Sequence, residues 1–358
     1  MKKQKHILVA PLNWGLGHAS RCIPIIQQLL NQDVFPIIAS DGDSLKLLQE
    51  EFPQLISVEL PSYHIRYPSQ NMVWNMAQQL PTILKAIQLE RKALKDIIKK
   101  HKIDAILSDN RYGIYSKDCP SILITHQLNI LIPNKFADWW AKWMNKRILK
   151  RFDACWVPDF ETEPNLSSIL SHGHNFKNIQ YIGPLSRMTP LVLDKKYDMV
   201  AVLSGPEPQR SFFEQKIVEQ AALLNKKTLI VRGSSASNLP EYTKSDIEFI
   251  PYLTSQELNK KIMQSEILIA RSGYSTIMDV VKMRCPKVIF VPTPGQTEQE
   301  YLAQQFSENR WFVTQKQDNF NLKNALESIE KTTGYPHELE NTQNLLAGAI
   351  QDLLITCK

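Results

Sequence analysis

Short runs of consecutive apolar residues, rich in Ile, Val and Leu, alternate along this chain with longer segments whose apolar residues recur three and four positions apart. The runs are His6–Ala10, Phe35–Ser40, Ile56–Leu60, Ile103–Asp109, Ser121–Thr125 and Ala154–Val157; Cys22–Leu30 and Met76–Ile98 are two of the longer segments. A strand that is apolar on both faces must be covered on both, so the alternation predicts an α/β protein with a parallel sheet between helices. Tyr181-Ile182-Gly183-Pro184 ends the pattern, and the stretch to Pro190 reads as a linker. The pattern then restarts, with Met199–Ser204, Thr228–Arg232, Ile247–Ile250, Ile267–Arg271, Val288–Val291 and Trp311–Thr314 as strands. From Glu338 onward, Leu339, Leu346, Ile350, Leu353 and Leu354 form one helical stripe. The expectation is two doubly wound, Rossmann-like domains, 1–185 and 197–334, joined by a linker over 186–196 and followed by a closing helix within 335–358. They are expected to face each other across a central cleft at the carboxyl ends of their strands, where ligands of such sheets bind.

The length of 358 residues suits two domains. With 43% hydrophobic and 22% charged residues, disordered, collagen-like and coiled-coil classes fit poorly. A net charge of +6 favours anionic ligands or membrane surfaces but is too small to point to nucleic acid. No run approaches the ~20 apolar residues of a membrane span. The basic start at Met1–Lys5 is followed by an apolar run that stops at Pro11, too short for a signal peptide. Five scattered cysteines (Cys22, Cys119, Cys155, Cys285, Cys357) form no C-x-x-C pair and read as reduced thiols, which suits a cytoplasmic location.

Glycine is scarce, 12 residues against an average share of ~7%, and most follow strand-like runs. After the first strand comes Gly15-Leu16-Gly17-His18-Ala19-Ser20-Arg21, in which Gly15 and Gly17 let the backbone turn and present amides. Pro24, lacking an N–H, belongs near the first helical turn, so His18 falls on the loop or the helix start. There the helix dipole disfavours the imidazolium and leaves a neutral base. A structural histidine in a turn is the alternative, as is a dinucleotide-binding turn, although the third glycine is missing. In the second half, Arg271-Ser272-Gly273-Tyr274-Ser275-Thr276 opens a helix with small residues whose amides suit a pyrophosphate, with N-capping by Ser272 or Ser275 as the plainer reading. Asp279 is placed to accept from ribose hydroxyls. Pro292-Thr293-Pro294-Gly295-Gln296-Thr297-Glu298-Gln299-Glu300-Tyr301 brings amide and carboxylate side chains suited to sugar hydroxyls. Ser204-Gly205-Pro206-Glu207-Pro208-Gln209-Arg210 is another glycine loop before a helix, with Arg210 in reach of a phosphate. Asp41-Gly42-Asp43 has the D-x-D spacing of a metal-holding motif but reads better as turn and N-cap chemistry. The segment 134–151 holds Trp139, Trp140 and Trp143 beside Lys142, Lys146, Arg147, Lys150 and Arg151, with no acid between Trp139 and Arg151. It reads equally as an amphipathic helix for an anionic membrane surface and as tryptophans packed inward under a solvated basic face.

Arg271-Ser272-Gly273 with Asp279, then Pro292 through Gln299-Glu300-Tyr301, resembles the C-terminal domain of family-28 glycosyltransferases, which include cell-wall N-acetylglucosaminyltransferases. Thr125-His126-Gln127-Leu128-Asn129, Asn134 and the basic helix are similar to the same family's first half. The first loop is closer to Gly-x-Gly-His-x-x-Arg, a form also found in related glycosyltransferase-like proteins and in a nucleotide-sugar hydrolase of pseudaminic acid synthesis. Glu300 replaces a second glutamine, and Asp279 a glutamate. The resemblance spans nearly the whole chain and implies a GT-B fold. It implies an inverting, metal-independent hexosyltransferase that uses a nucleotide-sugar, a UDP-sugar, as co-substrate and needs no cofactor. His18 is then the base. Gly15, Gly17, Ser204, Gly205, Arg210, Ile250, Arg271, Ser272, Gly273, Ser275, Asp279, Gln299 and Glu300 would bind the donor, with Arg271 steadying charge on the leaving diphosphate. Asp109, His126, Trp139 and Trp143 would lie on the acceptor side, facing a glycan or lipid-linked acceptor. The implied location is cytoplasmic, peripheral on the inner face of the membrane. Hydrolysis of the nucleotide-sugar by water, and nucleotide binding without catalysis, are the two other readings that these residues allow.

Overall fold

The computed structural model describes residues 4–63, 72–129, 135–174, 176–233, 246–285, 287–336 and 342–357, without the side chains of 72–78, 80, 135–141 and 342–343. The chain divides into two compact units, Met1–Ser186 with Glu338–Lys358, and Arg187–His337.

The first unit contains β1 (His6–Pro11), α1 (Leu16–Leu30), β2 (Phe35–Ser40), α2 (Gly42–Glu51), β3 (Ser57–Glu59) and α3 (Met72–His101). It continues through β4 (Ala105–Asp109), β5 (Ser121–Ile124), α4 (Lys135–Leu149), β6 (Ala154–Val157) and β7 (Ile179–Tyr181). All seven strands are parallel, in the order β3-β2-β1-β4-β5-β6-β7. The order reverses direction between β1 and β4, so the loops that follow these two strands flank the place where doubly wound sheets bind ligands. Ile7, Leu8, Val9 and Ala10 are all fully buried, which explains why β1 reads as a continuous apolar run. Leu8 and Ala10 pack with Ile37, Ala39 and Ile106, and with Leu94 and Ile97 of α3. Strand alternation sends Ile7 and Val9 to the opposite face.

The second unit contains β8 (Tyr197–Val202), α5 (Gln209–Leu223), β9 (Thr228–Val231), β10 (Ile247–Ile250), α6 (Ser255–Met263), β11 (Ser265–Ala270) and α7 (Tyr274–Met283). β12 (Val288–Phe290), α8 (Thr297–Glu308), β13 (Val313–Thr314) and α9 (Leu322–Ile329) complete it. Its parallel order is β10-β9-β8-β11-β12-β13, with the reversal between β8 and β11. One core cluster gathers Met199, Ala201, Phe213, Ile217, Ile230, Ile269, Ile289 and Leu322. The last helix, α10 (Thr342–Thr356), belongs to the first unit, where Gln32 donates to the Ala347 carbonyl at 3.2 Å.

Two local expectations need correction. α1 starts at Leu16, so Pro24 lies well inside the helix and removes the amide that would bond the Ser20 carbonyl. Asp41 occupies the N-cap position of α2 without capping it. The cap comes from Asn13, whose side-chain oxygen accepts from the Ser44 amide at 3.3 Å, while Asp41 is taken up by Arg111 and by Asn13 Nδ2 at 3.2 Å. The Asp41 carboxylate thus belongs to a buried network in which Arg111 also bonds Glu90 at 2.8 Å and the Pro11 carbonyl at 2.9 Å. Among the described residues no cluster of His, Cys, Asp or Glu is suited to a metal, and no helix is long and apolar enough to cross a membrane. All five cysteines are free.

Candidate active site

In the first unit the site is built on the switch between β1 and β4. Gly15 caps α1 with φ +73°, a conformation open to glycine and strained for other residues, and the space its missing Cβ would take is empty. Gly17 lies in the first turn, its carbonyl accepting from Ser20 Oγ at 3.0 Å. His18 is the third residue of the helix, and its side chain is 14% exposed. Its Nδ1 lies 2.9 Å from Oδ1 of Asp109, the last residue of β4, whose side chain is fully buried. A carboxylate oxygen only accepts, whereas Arg21 Nη2, also 2.9 Å from Nδ1, only donates; with Asp109 as the partner of Nδ1, that nitrogen carries the proton and Nε2 keeps its lone pair. Asp109 was expected on the acceptor side. It is instead sealed behind His18, and what it touches is the imidazole and Arg21.

Arg21, one turn along α1 and 2% exposed, donates from Nε to Asp109 Oδ2 at 2.5 Å and from Nη2 to Oδ1. Its Nη1 lies 3.4 Å from Nδ1 of the buried His126, and Cys22 Sγ lies 3.7 Å from Asp109 Oδ2. Burial of the imidazole, with the Arg21 charge beside it, holds His18 below the usual histidine range, and this outweighs Asp109. Burial pushes the Asp109 pKa up, but Arg21 and His18 together drive it well below the usual carboxylate range. The arrangement is a neutral imidazole oriented by an ionised carboxylate, the chemical form of a general base. Trp143 is 42% exposed on α4 with Arg147 stacked 4.0 Å from its ring centroid. Trp139 lies on the same helix, its side chain outside the described residues.

In the second unit, the loops after β8, β11 and β12 converge at the carboxyl edge of the sheet. Gly273 caps α7 with no side-chain cap bond, so the reading of Ser272 or Ser275 as the N-cap does not hold. Ser272 Oγ instead donates to the Gln299 carbonyl at 2.8 Å, which ties the β11 loop to the start of α8. A Cβ on Gly273 would have nothing nearer than Gln299 Nε2 at 3.9 Å, leaving open space above the helix start. Gln299 accepts from the Thr293 amide at 2.9 Å and donates to Gln296, and Glu300 accepts from the Gly295 amide at 3.1 Å. Both side chains therefore brace the β12 loop. Gly205 (φ +97°) sits beside Thr293 Oγ1, and Ser204 next to it is exposed. Ile250 ends β10 and is half-buried; Ser275 and Asp279 are half-buried along α7.

Two arginines depart from the expected donor contacts. Arg210 forms a fork on Glu207, with Nε at 2.9 Å and Nη2 at 2.5 Å. Arg271 is 1% exposed, stacks over Phe213 at 4.4 Å and has its pKa pulled down to about 10 by burial. Its guanidinium donates to the carbonyls of Val291 (3.1 Å), Pro292 (3.2 Å) and Gln209 (3.0 Å) and to Gln317 Oε1 (2.6 Å). It binds the loops after β8, β12 and β13 to its own, rather than reaching into the space above them. The sequence reading did not single out Gln317, and it quoted Arg21 only as part of the first glycine motif, without a role. Arg21 carried a signal, its i,i+3 spacing from His18; Gln317 had none.

Comparison with known proteins accords with this architecture. Residues 199–351 match the glycosyltransferase family 28 C-terminal domain. A Methanosarcina acetivorans protein described as an uncharacterized glycosyltransferase is 24% identical over 312 residues, covering 80% of this chain and 79% of its own. A Methanosarcina mazei protein of the same description is 24% identical over 314 residues, with the same coverage. The glycotransferase of kitacinnamycin superposes with a TM-score of 0.64 at 15% identity, over 99% of this chain and 96% of that one. MurG of Acinetobacter baumannii gives 0.60 at 12% identity, over 98% and 99%. CalG4, the calicheamicin glycosyltransferase, gives 0.62 at 12%, over 99% and 95%. Residues 199–351 thus match a family-28 glycosyltransferase C-terminal domain, and the two parallel sheets, each reversing its strand order once, give the chain the GT-B fold of the solved glycosyltransferases it resembles.

Proposed function

We propose that this glycosyltransferase is inverting and metal-independent, moving a sugar from a UDP-sugar to an acceptor hydroxyl with His18 as the base. The observation that supports the reading is the contact of His18 Nδ1 with Asp109, which suits Nε2 to the role of proton acceptor. Nε2 takes the acceptor O–H proton as the oxygen attacks the anomeric carbon, and the bond to the diphosphate oxygen breaks with its electron pair leaving on the diphosphate. On the donor side, Ser204, Gly205, Ser272, Gly273 and Ser275 meet the diphosphate through amides and hydroxyls. Asp279 takes the ribose, backbone near Ile250 the base, and Gln299 and Glu300 the sugar. Helix-start amides at the diphosphate stabilise the charge that develops there. A glycan or lipid-linked acceptor suits the exposed Trp143 with Arg147 across its ring and the basic residues around it, which also suit an anionic membrane surface.

The test is a screen of UDP-, GDP- and dTDP-sugars for released nucleoside diphosphate, with and without EDTA, in buffer alone and with detergent-solubilised lipid extract. EDTA-resistant release that requires the extract is the expected result. Equal release in buffer alone would instead make the enzyme a nucleotide-sugar hydrolase. His18→Ala is expected to cut turnover by ~10²–10⁴ while donor binding persists. Loss of donor binding in its place would overturn the assignment of the base.

A further inference from the structure

A carboxylate beside an imidazole has two effects. It orients the ring, and it also stabilises the imidazolium, which has no lone pair with which to act as a base. Asp109 is fully buried and 2.9 Å from His18, so on its own it would favour the protonated ring. Arg21 opposes this directly. Its Nε and Nη2 take both oxygens of Asp109, and Nη2 also stands 2.9 Å from His18 Nδ1. A second positive charge on the ring would face the guanidinium at that distance, behind side chains that keep water out. The other ionisable groups around this cluster, among the described residues, are few. His126, after β5, faces Arg21 and acts weakly on His18 in the same sense. Cys22 on α1 and Tyr112 after β4 lie beside Asp109, and burial raises the pKa of both, which keeps them neutral.

We propose that Arg21 is a positioning residue for the base: by saturating Asp109 it lets the carboxylate fix the imidazole's tautomer without drawing a second proton onto the ring. The lowered pKa of His18 accords with this. The spacing is built into α1: residues three apart share a helix face, so His18 and Arg21 both meet Asp109 at the end of β4, and the longer Arg spans both of its oxygens. The inference rests on the reading of His18 as the base.

Two readouts separate the inference from that reading. The first is the imidazole midpoint of His18, followed by NMR of histidine-labelled protein, with His18→Ala assigning the resonance. The second is the pH profile of kcat/KM. The wild-type midpoint is expected below the ordinary ~6.5. Arg21→Gln should raise it by about 1–3 pH units and carry the acid limb of the profile upward with it, so that activity near pH 6 falls at least about tenfold more than activity near pH 8.5. Arg21→Lys, which keeps the charge but loses the fork, should move the midpoint less and lower kcat at all pH values. A wild-type midpoint at or above 6.5 overturns the proposal without any variant. So does a folded Arg21→Gln protein whose midpoint is unmoved or whose activity falls equally at every pH. If Arg21→Gln does not fold, Arg21→Lys decides: a midpoint raised by as much as 1 unit with the charge retained would overturn it. Turnover that survives in His18→Ala would defeat the assignment of the base instead, and the NMR midpoints would still judge the effect of Arg21 on the ring.

Discussion

Asp109→Asn removes one charge from the centre of the first unit and leaves its shape. Four donor groups converge on the two oxygens of Asp109: Arg21 Nε, Arg21 Nη2, the Nδ1–H of His18 and, more weakly, the Cys22 thiol. An asparagine offers one acceptor oxygen and turns an NH₂ toward donors, so at least one of these bonds becomes a clash of like groups. Arg21, 2% exposed, loses its counter-ion. Breaking a buried ion pair from one side costs about 3–5 kcal/mol. At about 2–4 °C per kcal/mol for a domain of 150–250 residues, the melting temperature of this unit should fall by roughly 6–20 °C. Turnover, measured as nucleoside diphosphate release below that melting temperature, should fall by about 10²–10⁴, because the ring loses its orientation and its tautomer. His18→Ala added to D109N should cost little more, since two residues acting as one unit are not additive. The acid side gives an independent reading. Burial works to raise the Asp109 pKa, and Arg21 and His18 outweigh it. The group's folded pKa is therefore depressed, and its stabilisation is complete above about pH 4 and lost as the pH falls through the folded value. D109N should lose less stability than the wild type below pH 4. A folded D109N protein with turnover within about threefold of the wild type, or losses that simply add to those of His18→Ala, would refute the dyad.

Gly273→Ala tests whether the space above α7 is a ligand's. Gly273 has an ordinary φ of −71° and nothing within 3.9 Å of the added methyl, so the melting temperature should not change. The Kd for nucleoside diphosphate, measured by calorimetry, should rise about tenfold, or about 1.4 kcal/mol. Unchanged affinity would move the diphosphate away from this loop. Arg271→Met strips four hydrogen bonds from carbonyl groups of three other loops, leaving buried acceptors without donors at about 1–3 kcal/mol each if none finds water. Thermal melts should show the loss, and nucleotide binding should weaken if the proposed donor loops lose their tie. Lost binding with an unchanged melt would instead indicate direct contact with the ligand.

How far the residues alone reached depends on which interactions are local. The strand runs were legible because a strand buried on both faces has no polar side to interrupt it: β1 reads as His6–Ala10 in the sequence and is fully buried from Ile7 to Ala10. The glycine loops and His18 were legible because a backbone that must turn and present amides can use few residue types. β7, three half-buried residues at the sheet edge, has a weaker pattern and was missed. Strand order, by contrast, is a matter of which β-strand edges meet, and no local pattern records that Asp109 ends beside the loop after β1. That pairing across 91 positions changed Asp109 from an acceptor-side group into the partner of His18. The fate of Arg271 was equally invisible. A guanidinium after a strand can point up toward a ligand or back under the loops, and here the ring of Phe213 and the carbonyls of Gln209, Val291 and Pro292 draw it under. Residue type and spacing singled out the candidate groups; long-range packing decided which of them meet, because a side chain's partners are set by the burial and hydrogen bonding of elements far apart in the chain.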